Sequence, residues 1–416
     1  MSWESPSFPT NRVIMAEIDV SFEEQVAGVV DNFVYHANTL QLPPALTSAL
    51  ANSLRVSTLR QIVISGSKGL RLTDDQVGSF SHCILQSNIL LECLALPYHS
   101  LTDAGLGYIA TALMYVVPNP DDAQQGSMRL EVLDLEGNEI TATGLHALRL
   151  HSDECPLLSI NLSVNPLGLE GGKILAEALA VNRTLRQLLV FNCGFTQEAT
   201  VAIATSLNKT HKARPVLEEL QIDRPLLGST VGEDAVDHFS RVVANTNTSL
   251  AALSLRFFSC GDFGAKLMAQ ALLRSTTMVS LNLESNKIGV SGAEALSSYL
   301  ISQAKSGAPS IRSLRLSYNC ILNEGAIALA EALTTSTTLL DLGLKNNKIG
   351  MDGLMAIGNA LFRNNTLESL AVFGNNFDST SARLFFDVVT QRVPYTGLLL
   401  DVGPYEVDAT FLVAEA

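Results

Sequence analysis

One phrase, Leu-x-x-Leu-x-Leu-x-x-Asn-x-Ile with an Ala- and Leu-rich stretch behind it, returns eleven times along this chain, and its cleanest copies stand 28 residues apart. The copies begin at Leu59, Leu91, Leu130, Leu157, Leu185, Leu217, Leu250, Met278, Ile311, Leu339 and Leu367. Behind each phrase the apolar period lengthens from that of a strand to that of a helix, as at Gly353, Leu354, Ile357 and Leu361. A change of period at a fixed interval predicts one strand and one helix per repeat. Such a unit cannot bury its apolar face alone, so neighbours must stack into a solenoid with one continuous core. Length by itself suggests two or three globular domains for 416 residues; the repeat overrides that prior.

Positions within the phrase divide into inward and outward sets. Leu133, Leu135 and Ile140 should be inside, each worth about 1.5–3 kcal/mol on burial. Gly105, Gly144, Gly171, Gly264, Gly292, Gly325 and Gly353 stand four residues after the Ile-like position. We read them as packing positions where helix and strand approach closely, not as a phosphate cradle. Asn138, Asn165, Asn286, Asn319, Asn347 and Asn375 sit where the chain leaves the strand, and a buried amide there can satisfy backbone groups that the turn leaves unpaired. Cys193 can replace that amide in part as a weak donor, whereas His99, Pro225 and Phe258 are expected to break the series and make their repeats irregular.

The third, fifth and seventh residues of each phrase alternate with the inward leucines and should line the exposed face of the sheet. Acidic Asp134, Glu136, Glu219 and Asp223 come first, followed by Arg256, Arg315 and Lys345 mixed with Glu284 and Asp341. Leu189 and Phe191 are apolar on this face, and Tyr98, Phe257 and Tyr318 stand at its rim. Aromatic side chains beside charges match a protein-binding hot spot, while packing against a neighbouring strand is the plainer alternative. Three insertions, Tyr115–Arg129, Asn208–Val216 and Ser302–Ser310, precede the next strand at three-repeat intervals. They are either binding loops on one edge or tolerated slack. The middle insertion carries Lys209, Lys212 and Arg214, the densest basic cluster of the chain.

Residues 1–58 read as a tail and a helical cap, with Ser21–Leu54 helical and Phe22, Val26, Val29, Val30 and Phe33 on one side. Residues 59–389 form the solenoid. Residues 390–416 read as a C-terminal cap in which two apolar runs flank Gly403-Pro404 as a hairpin.

The remaining composition bears on function. A net charge of −14 argues against nucleic-acid or anionic-membrane partners and leaves either simple solubility or a preference for basic proteins. No apolar run reaches the length of a membrane span, and the first residues lack the pattern of a secretory signal. Six cysteines at unrelated repeat phases are expected to be free thiols in a reducing, cytoplasmic setting. No phosphate loop, zinc pair or nucleophile elbow occurs; the nearest stretch, Gly261–Lys266, has the wrong spacing. His146 and His151 do not share a helix face. We expect no enzyme activity, no cofactor and no metal.

The phrase with its following helix, as in Ser317–Leu333, resembles the ribonuclease-inhibitor-like class of leucine-rich repeats from about Leu59 to Val389. The resemblance implies an α/β horseshoe, with parallel strands on a concave face and helices on the convex one. That class includes enzyme inhibitors, innate-immune sensor arrays, activators of the small GTPase Ran and axonemal scaffolds. Six cysteines are few for a ribonuclease inhibitor, and the apolar ending departs from the acidic tail of a Ran activator. Val407–Glu415 is instead similar to the tail that closes certain ciliary repeat proteins. The expectation is therefore a non-catalytic scaffold for protein partners within a hetero-oligomeric assembly such as a ciliary or flagellar axoneme, with regulation of a small GTPase as the alternative.

Overall fold

The computed structural model describes residues 32–36, 60–67, 71–81, 91–113, 116–117, 126–127, 130–152, 155–208, 216–226, 232–245, 248–306, 311–391 and 397–416. The chain divides into two compact units, Met1–Ser206 with Pro215–Leu217, and Leu207–Arg214 with Glu218–Ala416.

In the first unit, β1 (Asn32–His36), β2 (Gln61–Ser65), β3 (Cys93–Ala95), β6 (Val132–Asp134), β7 (Ser159–Asn161) and β8 (Gln187–Leu189) pair in that order, all parallel. The short β4 (Val116–Val117) and β5 (Gly126–Ser127) form a separate antiparallel pair. Helices α1 (Asp74–Phe80), α2 (Asp103–Leu113), α3 (Ala142–Leu145), α4 (Gly168–Val181) and α5 (Gln197–Asn208) alternate with the strands. In the second unit β9 (Glu219–Gln221), β10 (Ala252–Ser254), β11 (Ser280–Asn282), β12 (Ser313–Arg315), β13 (Asp341–Gly343), β14 (Ser369–Ala371) and β15 (Leu399–Leu400) are parallel in chain order. Between them stand α6 (Gly232–Ala244), α7 (Asp262–Leu272), α8 (Val290–Ser306), α9 (Leu322–Thr335), α10 (Met351–Leu361) and α11 (Ser379–Gln391), and a hairpin of β16 (Val402–Val407) and β17 (Thr410–Glu415) closes the chain. One strand and one helix per phrase is what the change of period requires.

The inward leucines form the spine of each unit. Leu94, Leu133, Ile160 and Leu188 lie in register on successive strands of the first, as do Leu220, Leu253, Leu281, Leu314, Leu342 and Leu370 in the second. Leu133, Leu135 and Ile140 are wholly buried, as expected.

The asparagines behave as rungs that tie each turn to the repeat before it. Asn286 donates from Nδ2 to the carbonyls of Leu255 (2.9 Å) and Leu283 (3.0 Å), while its Oδ1 accepts from the Cys260 amide at 3.0 Å. Asn138, Asn165, Asn319 and Asn375 repeat the pattern. Cys193 makes the weaker substitute, with Sγ 3.2 Å from the Leu162 carbonyl. His99 corrects the expectation of a broken rung. Its Nδ1 accepts from the Leu72 amide at 3.0 Å and its Nε2 lies 2.9 Å from the Ile64 carbonyl, so a neutral imidazole spans the same two repeats that an amide would. Phe258 does break the series: it is wholly buried, packs edge-on against Phe239 with centroids 6.1 Å apart, and is flanked by left-handed residues at Phe257 and Ser259.

The packing role of the helix-opening glycines also holds, with a different neighbour. A Cβ on Gly353 would lie 2.5 Å from Ile349 Cγ2 and 2.9 Å from Ala326 Cβ, so the crowding comes from its own turn and the preceding helix rather than from the strand. At several repeats a carboxylate or amide from the previous helix start fills the remaining space. Asp262 Oδ1 accepts from the amides of Gly289 (2.7 Å) and Gly292 (2.9 Å), and Asp74 takes those of Thr102 (2.9 Å) and Gly105 (3.0 Å). Each of these acids caps the next helix along the stack rather than its own.

Both ends depart from expectation. Asn32–His36, read as part of a helical cap, is a strand in parallel register with Gln61–Ser65, and the rest of Ser21–Leu54 lies outside the described residues. Phe33-Val34-Tyr35 is a β-branched and aromatic run, which favours a strand once a neighbour with free backbone groups lies alongside. At the other end the hairpin exists, but it turns at Asp408-Ala409, whose φ values are 47° and 59°, and not at Gly403-Pro404, which lies inside β16. Two positive φ angles make a turn whose twist matches the strands it joins.

Candidate protein-binding surface

Every repeat from Leu91 to Leu367 leaves its strand through a left-handed residue at the eighth place of the phrase: Tyr98, Gly137, Val164, Asn192, Arg224, Phe257, Ser285, Tyr318, Asn346 and Gly374. The turn is required because the chain must reverse out of the sheet within one residue while the next amide anchors the rung. Gly and Asn accept that conformation readily, whereas bulky side chains strain against it. Where an aromatic stands there it is also exposed, at 49% for Tyr98, 40% for Phe257 and 53% for Tyr318.

In the first unit the structure brings Asp134 and Glu136 together with Tyr98. The Tyr98 hydroxyl donates to Glu136 Oε1, Asn161 Nδ2 donates to Glu136 Oε2 at 3.1 Å, and Asp134 Oδ1 accepts from the Glu136 amide at 3.0 Å. The hydrogen bond to Glu136 is the main reason the Tyr98 phenol is pushed up to about 12. Burial lifts the Asp134 carboxyl to about 6, against the hydrogen bond from the Glu136 amide, which lowers it. Further along the same face Ser159, Asn161, Ser163 and Gln187 are buried rather than wet, with Ser159 Oγ donating to Gln187 Oε1 at 2.5 Å and Ser163 Oγ accepting from the Phe191 amide at 3.1 Å. Leu189 and Phe191, expected as exposed apolar residues, are half-buried beside them.

In the second unit Asp223 is not a surface acid. It is 1% exposed, and its carboxylate accepts from the Ser254 hydroxyl (2.7 Å), the Arg256 amide (2.8 Å) and the Gln221 amide side chain (2.8 Å). Burial raises its pKa, opposed by these three donors and the Arg256 charge. The expectation failed because alternation places a side chain on a face without saying how closely the next strand's side chains cover it. Glu219 stays half-buried on β9. Arg256 Nε lies 3.5 Å from Glu284 Oε2, and the guanidinium sits 5.5 Å from the centre of the Phe257 ring, with Arg224 at 5.8 Å from the same ring. Arg315 pairs with Asp341 at 3.0 Å, and Lys345 lies 3.2 Å from both Asp401 and Glu415. The basic residues expected on this face are therefore matched by acids nearby, among them the Glu284 and Asp341 that stand between them in the sequence.

The edge-loop residues Lys209, Lys212 and Arg214 lie outside the described residues. Arg224 was missed in the sequence although its place in the phrase is the one that carries Gly137, Asn192 and Gly374 elsewhere. Among the described residues no helix is long and apolar enough to cross a membrane, and no group of three or more His, Cys, Asp or Glu side chains is placed to hold a metal ion. Cys93, Cys155, Cys193 and Cys260 are buried free thiols and Cys320 is an exposed one.

Comparison with known proteins finds likenesses to other repeat proteins over parts of the chain. A model described as Leucine Rich repeat matches residues 126–148, 274–297, 307–330 and 335–358. NACHT, LRR and PYD domains-containing protein 14 of Mus musculus is 25% identical over 170 residues, which are 38% of this chain and only 16% of that protein. Among solved structures, an internalin of Listeria monocytogenes aligns over 86% of this chain and 84% of its own at 16% identity and a TM-score of 0.43. The C-terminal domain of tropomodulin from Caenorhabditis elegans aligns over 40% of this chain and 92% of its own, at 18% identity and a TM-score of 0.30.

Proposed function

We propose that the chain is a leucine-rich-repeat scaffold, non-catalytic, whose open sheet face and strand-exit turns hold protein partners within a larger hetero-oligomeric assembly. The observation that carries this reading is the preorganisation of the outward side chains. Tyr98 is fixed by Glu136, Phe257 by two guanidinium groups, and Arg315 by Asp341, so a partner meets side chains already ordered. Ordering such groups only at binding would cost roughly 0.5–1.5 kcal/mol for each flexible side chain.

We place the assembly in a ciliary or flagellar axoneme, on the likeness of Val407–Glu415 to the endings of ciliary repeat proteins. The test is capture with the full chain from ciliated cells, keeping axonemal and soluble fractions apart. Recovery of a stoichiometric protein partner from the axonemal fraction supports both statements, and recovery from the soluble fraction alone overturns the placement. Single-turnover GTP hydrolysis by small GTPases is measured alongside; acceleration of roughly a hundredfold or more would replace the scaffold by a GTPase regulator.

A further inference from the structure

We propose that the strand-exit turns from β9 to β13 form a docking strip for an extended acidic segment of a partner protein. This deepens the scaffold reading, on which it rests, by naming the surface and the chemistry of its occupant. The strip combines exposed Arg224, Phe257, Lys287, Tyr318 and Lys348 at the eighth and tenth places of their phrases. Because β9 to β13 share one register, Arg224, Phe257 and Tyr318 leave the sheet at matching places on their strands, and Lys287 and Lys348 follow two places further on in the repeats of β11 and β13. At about 4.8 Å per strand the strip is roughly 19 Å long, the length of about six extended residues.

Two observations point to a ligand rather than to ordinary surface. The first is strain. Phe257 and Tyr318 hold φ of 59° and 61°, where four other repeats use Gly or Asn. The left-handed region is unfavourable for a bulky side chain. Burial returns little for it, since both rings are about half exposed, although the Phe257 ring meets the guanidinium groups of Arg224 and Arg256. The second is charge. Arg315 and Lys345 on the sheet face have carboxylate partners, yet Arg224, Lys287 and Lys348 have none within ion-pair distance among the described residues. Arg224 is instead held against the Phe257 ring.

The net charge of −14 selects among anionic partners. A membrane surface or a nucleic acid extends far beyond a 19 Å strip and meets the acidic remainder of the chain, whereas a short acidic segment feels mainly the cations within about 8–10 Å of it. Its carboxylates would meet the three cations, and an aromatic or apolar residue would fit between Phe257 and Tyr318.

The test uses the full chain and a fluorescein-labelled peptide of about ten residues, Asp and Glu around one Tyr, with a counterpart in which Asn and Gln replace the acids. Wild type should bind the acidic peptide in a salt-dependent way and ignore the neutral one. The double variant Phe257→Asn/Tyr318→Asn should lose binding about tenfold or more while its melting temperature stays level or rises, because the strain is relieved. Equal binding by that variant, no binding by wild type, or tighter binding of wild type to phosphatidylserine vesicles or an RNA oligonucleotide overturns the proposal. In the capture experiment, a partner retained by the double variant but lost on Arg315→Glu would sink the strip and leave the scaffold standing; failure to capture any partner sinks the scaffold.

Discussion

At the scale of single residues, the rung position shows how a geometric demand outranks residue identity. Two carbonyls and one or two amides must be paired wherever the chain leaves a strand, and leaving a buried one unpaired costs about 1–3 kcal/mol. Asn meets the demand at most repeats, a thiol meets it weakly at Cys193, and an imidazole meets it at His99. His99 carries a pH signature that Asn does not. Burial holds its pKa below the usual imidazole value, against the pull of the Ile64 carbonyl. The unfolded chain therefore takes up the proton first, and stability is lost as pH falls below the unfolded value of about 6.5. His99→Asn should keep stability at pH 7 within about 1 kcal/mol and flatten its decline between pH 7 and 5, read by denaturant midpoints at each pH. A variant that declines as steeply as wild type would show that His99 is not the titrating group.

At the scale of elements, the C-terminal hairpin is the clearest case of a structure partly legible in advance. Two apolar runs announce a strand pair, but Gly403-Pro404 looks like the turn and is not. The hairpin instead turns where Lys345 can reach Asp401 and Glu415, where Phe411 can pack on Phe386 at 5.4 Å, and where its amide donates to Ser379 Oγ at 3.1 Å. These contacts are made with residues distant in sequence, so local turn preference loses to them. The turn that results puts Asp408 and Ala409 in left-handed conformations. Changing the pair with Asp408→Asn and Ala409→Gly should stabilise the hairpin by about 1 kcal/mol, seen as slower amide exchange in β16 and β17 with no change elsewhere. Lys345→Ala should do the reverse, and more weakly at high salt, because the ion pairs are partly exposed.

For the whole molecule, the repeat means that stability accumulates from contacts between neighbours. Leu314 is wholly buried and in register with Leu281 and Leu342. Leu314→Ala should cost about 2–5 kcal/mol, with hydrogen-exchange protection falling first in β11, β12 and β13 and later in β9 and β15. Uniform loss across the second unit would mean that it unfolds as a single cooperative body.

That strands and helices alternate, that the leucines point inward, that the helix-opening glycines are packing positions and that asparagines line the turns could all be read from the sequence. All of these follow from period and residue type within one repeat. The sequence could not determine that Asp223 is buried under Ser254 and Arg256, that Arg315 and Lys345 are matched by acids, or that Asn32–His36 extends the sheet. Those outcomes depend on which side chains the neighbouring strand brings within about 3–4 Å, and that distance is set by stacking rather than by any one repeat. The candidate surface was legible as a face and a rim. Which of its residues remain available to a partner was decided only when the repeats were laid side by side.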